Sequence, residues 1–484
     1  LLWVFVIALL VRGAVVVLSP QTFVGDPDAY RIIAETLAND GVYGVSIGDL
    51  PPQPTAFRPP LYPYLLSWLT PSESGELLQW AVGVVHVICG ALTVVLTVWV
   101  ASRLLTEPLV ADRLVADRLV DGQLRNDGRI GAASLLAGLL TLIDPILVQQ
   151  STQIMTETLA GLLSMAVIAW WVGQVAVEAR SPNVLGSVAL RFLGLSVLLA
   201  LAYLCRPTFL VWAALLVVGA VFARRQSDWR SRVMQGGLVA SLVLVALAGW
   251  TWRNATSVGH PIWATSHGGY TLLLANNESF YDYLRNGTWG EAWDAEPFLE
   301  AYDHRYDGDP NEAEFWQRDW SAFTPTSVAT AQPATQVDFS TLTEHEDDQR
   351  CYHAARATID RQPAMFLWSC VVRVGRLWSP VPHHVSGRGW LKVIAVGAYY
   401  FVTYLAIAVM VWRFRWQLFQ RRWWAILTLA VTLSGVHLIY WTNIRMRAPI
   451  IPALAVMAAG AIVNPRTADS DSKLTKEHGG VAND

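Results

Sequence analysis

Apolar runs of about 17 to 25 residues recur along the whole chain, the length a helix needs to cross the hydrocarbon core of a bilayer. They lie near 2–18, 80–101, 131–149, 158–177, 188–204, 207–223, 233–252, 391–412, 423–441 and 448–463. In lipid every backbone polar group must be satisfied within the protein, so runs of this length become helices. Ten spans are expected, and the fold class is an all-α polytopic membrane protein with a mixed extracytoplasmic segment. Composition agrees: 53% of the 484 residues are hydrophobic and only 15% are charged. Soluble domains carry roughly 25% charge, so a water-soluble enzyme and a disordered chain are both excluded. The 23 Trp suit the two faces of a bilayer.

The stretch from Pro363 to Trp378 is too short and interrupted for a span and is read as interfacial or as a buried half-helix. Residues 1–18 read as a first span, because no small-x-small cleavage site precedes the polar segment at Gln21. Arg103, Arg113, Arg118, Arg125 and Arg129 share one loop; Arg224, Arg225, Arg230 and Arg232 a second; Arg413, Arg415, Arg421 and Arg422 a third. With ten spans all three loops fall on one side, which the positive-inside rule makes the cytoplasm. Residues 1–252 then form a membrane-embedded half with a first outer loop at 19–79. Residues 253–390 are an extracytoplasmic segment, 391–463 the last spans, and 464–484 a disordered cytoplasmic tail. A tandem LVADR repeat at 109–118 reads as an exposed helical extension, and helical pieces are expected near 311–322 and 350–361. The localisation expected is the inner (cytoplasmic) membrane, with the site facing outward.

Charged residues gather at the outer helix ends. Gly25-Asp26-Pro27-Asp28-Ala29-Tyr30 opens an amphipathic stretch, with Asp26 expected at a helix N-cap and Asp28 in the first turn. The loop returns through Arg58-Pro59-Pro60-Leu61-Tyr62-Pro63, placing a cation and aromatics where a lipid phosphate would lie. Glu157 sits at the outer end of the fourth span, where a carboxylate needs a partner or a polar cavity. Arg206 occupies a tight turn, Arg253 ends the seventh span, and Arg445 and Arg447 precede the tenth. Several Arg beside carboxylates suit a phosphate held by charge-assisted, bidentate contacts. Asp144-Pro145 reads as a helix terminator.

In this order the motifs resemble the GT-C class of membrane glycosyltransferases, specifically bacterial relatives of protein O-mannosyltransferases and lipid A aminoarabinose transferases. The resemblance runs through Asp26 and Tyr30, the Pro-rich re-entry, Thr156-Glu157, Arg206-Pro207 and Trp252-Arg253-Asn254 with Gly259-His260-Pro261. It continues through Gly268-Gly269-Tyr270 to Asn276-Asn277 and Arg445-Met446-Arg447-Ala448-Pro449. It departs from the pattern at Pro27, where several relatives have a second acid, and across 280–390. The resemblance implies transfer of a sugar from a polyprenyl-phosphate donor to an acceptor hydroxyl outside the membrane, with inversion. On that basis Asp26 is the base, Glu157 a second catalytic carboxylate, and Arg58, Tyr62, Arg206 and Arg445 the donor phosphate site. Asp28, Tyr30 and Arg253 are secondary. A phosphate leaving group needs no strong acid, so one carboxylate base and a set of cations suffice.

No cofactor is required by this chemistry. Cys351, His353 and His345 fit no standard zinc spacing, and His383-His384 reads as an interfacial pair. Pairing of Cys351 with Cys370 stays open. The expected partners are the polyprenyl-phosphate sugar donor, an unidentified acceptor and the bilayer. Nucleic acid is not expected, since the net charge of −3 supplies no global basic field. A lipid-linked glycan polymerase or ligase, a flippase and a structural membrane protein remain the alternatives.

Overall fold

The ten apolar runs all become helices. Among the described residues, six stretches are long and apolar enough to cross a membrane: Gln79–Leu105, Glu157–Val175, Trp229–Ser257, Trp390–Phe419, Arg421–Ile439 and Ile444–Ile462. Leu2–Val17, Gly131–Ile143, Ala189–Cys205 and Phe209–Phe222 are shorter apolar stretches of helix among the described residues. The computed structural model describes residues 1–463 except 20–22, 27, 47–50, 72–74, 107–119, 181–184, 223–228, 288–290, 297, 300–301, 303–342 and 383–388. The expectations for Pro27, 109–118, 311–322, His383-His384 and the tail from 464 lie outside the described residues.

In chain order the helices are α1 (Leu2–Leu18), α2 (Tyr30–Asp40), α3 (Leu61–Ser67), α4 (Gln79–Thr106), α5 (Val120–Ile143), α6 (Pro145–Gln150), α7 (Glu157–Arg180), α8 (Leu185–Cys205), α9 (Phe209–Phe222) and α10 (Trp229–Ser257). The outer segment contributes α11 (Gly268–Ala275), α12 (Glu278–Asn286), α13 (Glu344–Arg361) and α14 (Pro363–Leu377). Then follow α15 (Trp390–Phe414), α16 (Trp424–Ile439), a 3-10 helix (Ile444–Ile450) and α17 (Ile451–Ala459). Among the described residues the strands are β1 (Gly44–Val45) and β2 (Gln53–Pro54), an antiparallel pair in the first outer loop.

One boundary bears out the expected terminator at Asp144-Pro145 and one differs from expectation, each for a local reason. The run 131–149 is two helices: Pro145 cannot continue α5, and the Asp144 carboxylate accepts from the backbone N–H of Ile146 (3.0 Å) and Leu147 (2.9 Å) to start α6. Asp144 therefore ends one helix and caps the next. By contrast α2 begins at Tyr30, later than expected, with Ala29 as N-cap in the left-handed region (φ 57°). Asp28 thus lies outside the first turn. At its other end α2 stops at Gly41, whose φ of 69° costs a glycine little.

Apolar side chains from α4, α5, α7, α8, α9, α16 and α17 form the main core. Trp171, Trp212 and Trp423 are fully buried in it, so not every Trp serves an interface. Two buried indoles satisfy their N–H groups across the bundle: Trp171 donates to the Arg421 carbonyl (2.8 Å) and Trp212 to that of Ala425 (3.0 Å). The stretch from Pro363 forms α14, with Leu367, Trp368 and Val371 exposed while Ser369, Cys370, Arg373 and Leu377 are buried. In the outer segment Gly269 donates its N–H to Asp348 (2.6 Å), docking α11 on α13. A Cβ at Gly269 would lie 2.0 Å from the Asp348 carbonyl oxygen, so this approach requires glycine.

Candidate active site

Glu157 is the first residue of α7 and only 2% exposed. A carboxylate buried at a helix end needs compensation, and two guanidiniums supply it. Arg206 Nη2 lies 2.8 Å from Oε1, and Arg445 Nε lies 3.2 Å from the same oxygen. The Arg445 contact is an ion pair without hydrogen-bond alignment at Nε. Arg206 sits in the tight turn between α8 and α9 and also donates through Nε to Thr156 Oγ1 (2.8 Å). Burial alone would lower the Arg206 pKa, but the charge of Glu157 outweighs it and holds the guanidinium above its ordinary value.

Arg445 lies in the 3-10 helix Ile444–Ile450, whose first turn is fixed by Asn443 Oδ1 accepting from the Arg445 N–H (2.9 Å). Its Nη1 meets Met155 Sδ at 2.8 Å and its Nη2 stands 4.0 Å from Asp28 Oδ2. Asp28 Oδ1 in turn is 2.9 Å from Arg58 Nη2, while Arg58 Nε donates to the Asp28 carbonyl (2.6 Å). Five charges therefore run in one line: Arg58, Asp28, Arg445, Glu157, Arg206. Three cations face two carboxylates, leaving one positive charge in excess. The most open members are Arg445 at 28% and Asp28 at 24% side-chain exposure.

Asp26, two positions before Asp28 in the chain, has its two oxygens in different states. Oδ2 accepts from the backbone N–H of Arg31 (2.9 Å) and Ile32 (3.1 Å), so Asp26 caps α2 from outside the helix. Oδ1 is buried and has no hydrogen-bond partner among the described residues. The Tyr30 ring lies under the Arg58 guanidinium, 5.5 Å from its centroid, and burial pushes the Tyr30 hydroxyl up to about 12.

Two expected residues are engaged elsewhere. Tyr62 is fully buried, its hydroxyl 2.8 Å from His86 Nε2, while His86 Nδ1 lies 3.1 Å from the Ser151 carbonyl. Its ring meets that of Tyr30 in a T-shaped contact at 5.2 Å, so Tyr62 packs against the ring that lies under Arg58. Arg253 donates to the carbonyls of Thr55 and Tyr43, each at 2.6 Å, with its guanidinium against the rings of Tyr43 and Trp250. It ties the residue before β1 to the residue after β2. Sequence reasoning missed His86, whose signal was a lone polar ring inside an apolar run. A second buried network was missed as well. Arg12, Asp144, Tyr400 and Arg447 gather inside the bundle, with the Tyr400 hydroxyl donating to Asp144 Oδ2 (2.8 Å) and Arg447 stacked on Tyr400 (4.1 Å). Arg12, alone in the first apolar run, was its visible mark.

No disulfide joins Cys351 and Cys370, which answers the open question of their pairing. Among the described residues no group of three or more His, Cys, Asp or Glu is placed to hold a metal ion. His345 stacks on His260, with ring centroids 3.9 Å apart.

Helices, apolar spans and a buried line of Arg and carboxylates at their ends together describe a polytopic membrane protein with a polar site at one boundary. No family model and no curated protein matches the chain. Among solved structures it is similar to the archaeal oligosaccharyltransferase AglB from Archaeoglobus fulgidus, in complex with an inhibitory peptide and a dolichol-phosphate. That match has 16% identity and a TM-score of 0.46, over 100% of this chain and 52% of that one. The apo form of the Archaeoglobus fulgidus oligosaccharyltransferase gives 16% identity and 0.49, over 100% and 52%. ArnT from Cupriavidus metallidurans bound to undecaprenyl phosphate gives 16% and 0.40, over 96% and 77%. The chain spans about half the length of the two oligosaccharyltransferase chains.

Proposed function

We propose that the chain is an integral membrane glycosyltransferase that moves a sugar from a polyprenyl-phosphate donor to an acceptor hydroxyl on the outer face of the membrane, with inversion. The observation that carries this is the line of three Arg and two carboxylates with one positive charge in excess. A glycosyl phosphodiester is a monoanion, which the guanidiniums of the line can meet with charge-assisted contacts. Departure of the sugar leaves a phosphate of higher negative charge, which Arg58, Arg445 and Arg206 stabilise more strongly than the bound diester. Catalysis needs that difference between ground and transition state.

Asp26 Oδ1 takes the proton of the acceptor hydroxyl as its oxygen attacks the anomeric carbon, and the bond from that carbon to the phosphate oxygen breaks with its electrons on the phosphate. Asp28 is unsuited to this step, since both its oxygens face guanidinium groups. Glu157 holds Arg206 and Arg445 in place. The line also lies far from the third Arg-rich loop: Trp171, bonded to the Arg421 carbonyl, is fourteen positions along α7 from Glu157, about 21 Å at helical rise. With that loop in the cytoplasm, as the positive-inside rule asks, the site opens outside.

The test is sugar transfer from a synthetic polyprenyl-phosphate sugar by the purified protein in liposomes, with Arg58→Ala and Arg206→Ala. Each loss removes a charged hydrogen bond, about 1.5 to 3 kcal/mol, and should raise the donor KM accordingly. Unchanged donor KM in both folded variants would remove these residues from the site.

A further inference from the structure

The Pro-rich segment that presents Arg58 is gripped by a residue almost three hundred positions later. Glu344, the first residue of α13, accepts the Thr55 hydroxyl, the Ala56 N–H (3.0 Å) and the Ser266 hydroxyl on its two carboxylate oxygens. Thr55 Oγ1 in turn accepts the Phe57 N–H (2.9 Å), and the Ser266 N–H donates to the Ala56 carbonyl (3.1 Å). The backbone of residues 55–57 is thereby fixed. Phe57 packs edge-on against His267 (4.7 Å), and the Arg58 guanidinium lies over the Phe57 ring at 4.3 Å. On the far side Tyr43 Oη donates to the Arg58 carbonyl (2.9 Å). Each contact constrains the direction in which Arg58 leaves the chain.

A carboxylate suits this place, because it alone offers enough lone pairs for three converging donors without a proton of its own in the way. The contact is more than a helix cap. The α13 N-terminus has its own capping box, in which Thr343 and Glu346 satisfy each other, so Glu344 is left to face outward from its helix. We propose that Glu344 is a positioning residue for Arg58, by which the outer segment sets the geometry of the phosphate site. The proposal rests on the carrier reading for its functional consequence, while its structural part stands apart from it.

Two measurements separate them. Hydrogen exchange in nanodiscs compares the wild-type protein with Glu344→Gln, which keeps the size and one acceptor but loses the charge. Exchange at Ala56 and Phe57 should accelerate while the core of α4 stays protected. Unchanged exchange there overturns the positioning role, whatever the carrier result. Binding of a long-chain polyprenyl phosphate is then measured for wild type, Glu344→Gln, Arg58→Ala and the double variant. If Glu344 acts through Arg58, Glu344→Gln weakens binding about tenfold alone and adds nothing in the Arg58→Ala background. Equal losses in both backgrounds overturn the proposal, since a merely structural defect would add. Loosened exchange together with carrier binding insensitive to Arg58→Ala supports the positioning role and removes the carrier reading.

Discussion

Asp26 and Asp28 stand two positions apart and serve different ends. Asp28 is held between Arg58 and Arg445, whereas Asp26 caps α2 with one oxygen and leaves the other without a partner among the described residues. Asp26→Asn keeps the cap and loses the base, so transfer should fall by about 10²-fold or more with the fold intact. Asp28→Asn should stay within about tenfold of wild type, because Arg58 keeps its bond to the Asp28 carbonyl. If Asp26 only caps a helix, both variants will transfer sugar at near wild-type rates. Glu157 makes a separate prediction. Glu157→Gln leaves Arg206 and Arg445 without their common partner, and breaking a buried pair in this way costs about 3 to 5 kcal/mol. Chemical unfolding in detergent would show it; wild-type stability would mean that the site is wetter than its geometry suggests. Glu157, Arg206 and Arg445 were legible in the sequence because a charge bordering an apolar run is conspicuous. The places of Tyr62 and Arg253 were not, since each is set by partners distant in sequence, His86 in one case and the carbonyls of Tyr43 and Thr55 in the other.

At the scale of elements, apolar runs announce helices because lipid allows no other fate for their backbone, and among the described residues the ten runs and ten apolar helices coincide. The break inside the run 131–149 was marked by Asp144-Pro145, read as a helix terminator, while the partners that hold it stay hidden. The division of α5 from α6 depends on Asp144 taking two backbone donors and Tyr400, and Tyr400 is 256 positions away. The docking of α11 on α13 was equally hidden and carries a pH signature. Burial pushes the Asp348 carboxyl up to about 6, against which the Gly269 N–H works. Between about pH 4 and 6 the folded state thus keeps a proton that the unfolded chain has released, so the stability contributed here falls as pH rises through that window. Asp348→Asn removes the titration and should flatten the change in unfolding midpoint between pH 4.5 and pH 7 relative to wild type. An identical pH profile in the two proteins would show that Asp348 does not titrate there.

For the whole molecule, charge arranges the chain twice. We propose that Arg-rich loops orient it in the bilayer and that Arg at the opposite helix ends build the site. Single-Cys labelling in a background without the four native Cys tests the first arrangement, using the exposed positions Trp416 and Asn286. An impermeant thiol reagent added to intact cells should modify Asn286→Cys and spare Trp416→Cys; the reverse pattern would invert the topology and place the site in the cytoplasm. The second arrangement is the central claim, and Arg445 tests it most directly because it alone touches both carboxylates of the line. The measurement is the rate of sugar transfer from a synthetic polyprenyl-phosphate sugar in liposomes, for wild type and a folded Arg445→Ala. The expected result is transfer by the wild type, inhibition by free polyprenyl phosphate, and a loss of about tenfold to a hundredfold in kcat/KM in the variant, the span of one charged contact. Transfer at an unchanged rate by Arg445→Ala, or none by the wild type, would contradict it.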